Sequence, residues 1–154
     1  MTNAGGANAT ISVAKPDDED TSYITIVAGI DTTCLYDVTD TAIPGNATIN
    51  SVLVRARIKS TLGTDNSGAV DMSDNAFTNT VTSSPLITTS YADFVGTTSA
   101  TAPSGGAWTV AKLNSLQVRV KGYDVTIARV TTLTVEVTWT AASGHNNLCL
   151  IGVG

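Results

Sequence analysis

The chain has 154 residues, with 8 basic and 13 acidic side chains, a net charge of −5 and a pI near 4.5. At 42% hydrophobic and 14% charged residues it can fill one buried core, and it is too apolar for disorder along its whole length. The acidic balance argues against a non-specific binder of nucleic acid or of an anionic membrane, because both tasks need a basic surface.

Residues 1–20 read as a flexible N-terminal arm. Small and polar residues lead through Lys15-Pro16 to the acidic run Asp17-Asp18-Glu19-Asp20, whose like charges repel and stay hydrated. The first residues carry neither a basic nor an apolar stretch of the secretory kind. No run approaches the 18 or so apolar residues of a spanning helix. Without export, the Asn8-Ala9-Thr10 and Asn46-Ala47-Thr48 triplets read as ordinary surface rather than glycan acceptors.

From residue 21 to residue 154 the pattern predicts one β-sandwich domain. The chain holds 26 Thr and 13 Ser, and β-branched Thr fits a pleated, half-buried surface better than a helix. Strands are expected over 23–28 and 33–37, followed by a turn at Ile43-Pro44-Gly45-Asn46. The run 48–60 should be a long strand, with Val52, Val54, Ala56 and Ile58 on its core face and Arg55, Arg57 and Lys59 on the other. Shorter strands are expected at 69–72, 78–82, 86–88 and 91–95. Thr109 should cap one short helix over 109–115, since Val110, Leu113 and Leu116 recur at helical spacing. Trp108 should pack beneath that helix.

Alternation returns at 116–121. It is cleanest at 129–140, where Leu133, Val135, Val137 and Trp139 oppose Thr132, Thr134, Glu136 and Thr138. An apolar tail, Leu148 to Val153, closes the chain. Many short strands with one helix before the last of them predict an all-β, jelly-roll-like antiparallel sandwich. Trp108, Leu113, Leu133, Val135, Val137 and Trp139 are its expected core. The tail residues Leu148, Leu150, Ile151 and Val153 are expected either at a subunit interface or in the core.

No catalytic constellation emerges from the sequence. His145 is the single histidine and sits in a Gly/Asn turn, with no partner spaced for a triad or a zinc site. The run Asp17-Asp18-Glu19-Asp20 lacks the spaced oxygen ligands and Gly of a Ca²⁺-binding loop, whereas Asp65, Asn66, Asp71 and Asp74 could together hold Ca²⁺, a reading ranked below ordinary loop acids. A sugar cleft would need aromatic platforms, and 5% aromatic residues supply few. Cys34 and Cys149 read as buried thiols or as one bridge. No cofactor or metal is expected, and the chain is expected not to be an enzyme.

Three segments resemble a recurring pattern of tailed-bacteriophage structural proteins. They are Gly105-Gly106-Ala107-Trp108-Thr109 through Val118, then Ala128-Arg129-Val130-Thr131 with Leu133 to Val137, and the upstream Ile43 to Val52. Ser51, Arg119 and Thr132 depart from the residues common there, and the tail beyond Trp139 runs on further. The resemblance implies a virion structural protein assembled in the host bacterial cytoplasm, and it carries over no catalytic residue. A capsid decoration or cement protein is the expected role, with a neck, tail or head-fibre component as the alternative. The expected partners are copies of the chain itself, as a homotrimer, and the major capsid protein or other virion proteins, with the arm draped over a neighbour. A carbohydrate-binding module is the alternative of another class, since such sandwiches include lectins.

Overall fold

The computed structural model describes residues 24–26, 33–37, 43–61, 68–84, 86–122, 128–141 and 146–152, the first two of these segments and the last through their backbone pairing only. The expected arm, residues 62–67, His145 and Val153 lie outside the described residues. The protein is all-β with one short helix. Its strands are β1 (Ile24–Ile26), β2 (Thr33–Asp37), β3 (Thr48–Ser60), β4 (Gly68–Ser73), β5 (Val81–Ser83) and β6 (Ala92–Val95). The helix α1 (Val110–Asn114) then leads to β7 (Gln117–Gly122), β8 (Ala128–Thr140) and β9 (Asn146–Gly152).

The strands form two antiparallel sheets. One runs β1-β8-β3-β6, with β9 also paired to β8, and the other runs β2-β7-β4-β5. Both sheets contribute to a single apolar cluster, which joins Val52, Val54, Ala56, Ile58, Val130, Val135 and Val137 from the first to Val70, Met72, Val118 and Val120 from the second. Each fully buried aliphatic side chain of this kind contributes about 1.5–3 kcal/mol, so the shared core is what holds the sheets together.

Two irregularities in the β3–β8 ladder let thirteen-residue strands keep one face inward. The register shifts between Ile49 and Ser51 on β3, and again between Arg57 and Ile58. The second shift leaves Thr131 of β8 as an extra residue. Before it Ala128 and Val130 are buried; after it the buried positions are Leu133, Val135 and Val137. A bulge inserts one residue and so changes which parity faces the core. Thr131 itself is buried, and its hydroxyl lies 3.5 Å from the Arg57 carbonyl.

The helix forms where the capping signal placed it. Thr109 is extended (φ −127°, ψ 161°) and its hydroxyl accepts the Lys112 backbone N–H at 3.2 Å. Leu113 and Leu116 are buried, which seats the helix on the core in the connection from β6 in one sheet to β7 in the other. Trp108 is buried as well, and its indole N–H donates to the Ser99 carbonyl at 3.0 Å. Trp139 is only half-buried and packs against the edge of the cluster.

The weak strand expectations in the middle of the chain are partly corrected. Residues 78–80 belong to a turn, so β5 starts at Val81, and 86–88 is no strand. Ile87 is nevertheless buried, and the Thr88 carbonyl accepts the Ser60 N–H at 2.7 Å. Apolar content there reflects one anchoring side chain rather than a ladder.

Candidate functional site

The outer faces of the two sheets carry the charged chemistry. On the first sheet Arg55, Arg57 and Lys59 alternate along β3, and the register sets Lys59 across from Arg129 of β8. The Arg55 Nε donates to Glu136 Oε2 at 2.8 Å, and Arg57 donates to Asp93 Oδ1 of β6 at 2.9 Å. The Lys59 ammonium stands 4.3 Å from the centre of the Tyr91 ring. An open groove of about 430 Å³ runs here, with Arg55, Arg57, Asp93, Val95, Thr132 and Thr134 in its lining. Val95 is exposed beside it. These residues make a broad, mostly neutralised surface with guanidinium and hydroxyl donors, suited to hydrogen bonding another chain.

The second sheet buries a charge beneath its outer surface. Asp71 of β4 has a side chain only 2% exposed. It accepts from Arg119 Nε at 2.7 Å and from Thr82 Oγ1 at 2.7 Å, with Lys121 Nζ at 3.1 Å. Burial alone pushes its carboxyl up, but the bonds from Thr82, Arg119 and Lys121, with the Lys121 charge, outweigh that and hold it below its ordinary value. The Phe77 ring covers the Arg119 guanidinium at 4.1 Å.

The β4–β5 connection that delivers Phe77 is strained. Ala76 and Phe77 both have positive φ (54° and 61°), and Thr78 N–H closes the turn on the Asn75 carbonyl at 3.2 Å. That is the pattern of a type I′ turn, which prefers Asn and Gly at these positions. The buried Ser73 hydroxyl holds it, accepting the backbone N–H of Asn75 at 3.2 Å and of Phe77 at 2.9 Å.

The loop acids considered for Ca²⁺ have separate partners. Asp74 is bound by the Ser104 backbone N–H at 2.8 Å and by its hydroxyl, whereas Asp71 is bound by cations. Asp65 and Asn66 lie outside the described residues. Among the described residues no three His, Cys, Asp or Glu side chains converge as metal ligands would. A second open concavity of about 490 Å³ has Asp74, Asn75, Asn114 and Gln117 in its lining, beside the same turn.

Of the tail residues, Leu148, Leu150 and Ile151 belong to β9 and pair across from Thr138, Glu136 and Val135 of the same chain. The outward position of Arg55, Arg57, Lys59 and Arg119 was legible from alternation. The Asp71 network was not, because Arg119 lies 48 residues away in sequence and meets Asp71 only through the β4–β7 register. Comparison with known proteins finds no matching family model, no matching curated protein and no matching solved structure.

Proposed function

We propose that this chain is a non-enzymatic structural protein of a tailed-bacteriophage virion, acting as a capsid decoration or cement protein. The observation that carries the reading is the strand order. Pairing of β1 with β8, β2 with β7, β3 with β6 and β4 with β5 supports the jelly-roll form of the sandwich, in which a long antiparallel ribbon is rolled up. The segments that resemble phage structural proteins fall on the entry to β3, on the Trp108 anchor with its helix, and on β7 and β8.

The mechanism is repeated surface contact. On the outer face around β3 and β8, Arg55 is paired with Glu136 and Arg57 with Asp93, so a neighbour can cover that part of the face without stripping water from isolated ions. A modest contact repeated over a symmetric shell locks its neighbours in place. A homotrimer on the major capsid protein is the proposed unit, by analogy with sites on the three-fold axes of a symmetric shell.

Antibody labelling of particles released from cells that carry this gene should mark the capsid surface. Label confined to the neck or tail supports the alternative position, and particles without label overturn the reading. The purified protein should run at three times its 15.8 kDa mass in light scattering.

A further inference from the structure

We infer that the open concavity between the β4–β5 turn and the start of β7 is a binding site for neutral, polyhydroxylated ligands, that is, for short oligosaccharides. The first ground is the way its polar groups are held. The β4–β7 ladder ends on the pair Ser73 and Gln117, so the turn after β4 and the α1–β7 junction line one space of about 490 Å³. That volume falls in the range of small-molecule sites. Asn75 Oδ1 accepts from the Ser73 hydroxyl at 3.0 Å and from the Asn79 backbone N–H at 3.1 Å. These bonds fix the orientation of the carboxamide, and among the described residues its Nδ2 has no partner. Asp74 is held at both oxygens by Ser104. The Ser115 hydroxyl donates to the Ala111 carbonyl at 2.9 Å, which leaves its lone pairs to accept.

The second ground is the kind of ligand this lining answers. Asn75 offers N–H donors, Asp74 and Ser115 offer acceptors, and Asn114 and Gln117 add amides. A sugar hydroxyl donates and accepts at once, so it meets both kinds of group. Among the described residues Asp74 is the one ionisable side chain of the lining. A single carboxylate already bound to Ser104 is a poor start to a Ca²⁺ shell of six to eight oxygens, and it repels an anion. Trp108 takes no part, because it is buried and its indole N–H is given to the Ser99 carbonyl. A shallow site with no aromatic platform should bind weakly, with a Kd of about 1–10 mM. The inference makes no use of the virion reading, so failure of the labelling experiment leaves it standing.

The test titrates the full chain with cellotriose, maltotriose and triacetylchitotriose, each to about 20 mM, and follows the amide NMR signals. At least one sugar should shift the Asn75 side-chain NH₂ signals and the backbone signals of Asp74, Ala76 and Ser115 along one saturating curve. Asn75→Asp keeps the oxygen that Ser73 and Asn79 bind and removes the NH₂ group. Its fold should persist, and its Kd for that sugar should rise about fivefold or more. Ser115→Ala, which removes an exposed hydroxyl, should weaken binding as well. Glycerol at the same hydroxyl concentration should move these signals less and without saturation. Signals that none of the three sugars moves overturn the inference, and so does a Kd left unchanged by both substitutions. Equal shifts from glycerol overturn it too, as a solvent effect only.

Discussion

Asp71 is a full charge held under a sheet face, and its energetics depend on the two cations that hold it. Asp71→Asn would leave Arg119 and Lys121 half-buried with no carboxylate between them. They keep about a fifth of their side chains exposed, so the loss should be about 2–3 kcal/mol, below the cost of orphaning a fully buried ion. The carboxyl lies below its ordinary pKa in the folded chain. The stabilisation is therefore whole above that ordinary value and is lost as the pH falls from there through the lower folded value. Urea midpoints measured from neutral pH down to about pH 3 should fall more steeply for the wild type than for Asp71→Asn. Gly96 makes a different demand. A Cβ there would sit 2.8 Å from the Val54 carbonyl oxygen, to which the Gly96 N–H already donates at 2.8 Å. The obstacle is backbone, so Gly96→Ala should cost about 1–3 kcal/mol, read as a lowered Tm.

At the level of elements, the β4–β5 turn stores strain and the helix cap does not. A left-handed conformation costs an ordinary residue about 1–2 kcal/mol, and this turn holds two in succession. Ala76→Gly should therefore stabilise the protein by up to about 1 kcal/mol, since Ala76 is exposed and its side chain is dispensable. Phe77→Gly should not, because it also strips the ring from Arg119. Denaturant melts of the two variants should move in opposite directions. Thr109→Ala, which removes the cap hydroxyl, should cost about 1 kcal/mol in the same assay. The cap was legible because its chemistry is local: a hydroxyl, three residues, one N–H. The strained turn was not, since nothing in Asn75-Ala76-Phe77-Thr78 favours positive φ. It is imposed by Ser73 from below and by the Phe77 ring on Arg119 from a neighbouring strand.

Across the whole molecule, alternation exposed most of the fold because each long strand has one apolar face. Val52 to Ile58 and Leu133 to Val137 declared themselves. What alternation could not supply was pairing. A strand's own residues say which side is buried but not which neighbour lies beside it, so the candidate surface, built from β3, β6 and β8, was visible only as separate rows of Arg and Thr. The tail illustrates the same limit. Its apolar residues were compatible with an interface or with the body of the domain, and the backbone of β9 runs along β8 from Thr134 to Thr140. A chain ending at Ala142 would lose that ladder and bare a long stretch of β8. It should melt well below the full chain and aggregate through the opened edge.

Both β1 and β9 occupy the same flank of β8, end to end, with Ile24 opposite Val130 and Gly152 opposite Thr134. Four residues of strand span about 13 Å, a gap that a short glycine-serine bridge crosses easily. The polypeptide is thus close to a ring. Splicing Gly152 to Ile24 through such a bridge and cutting a new start between β3 and β4 should give a circular permutant with the parent's circular dichroism.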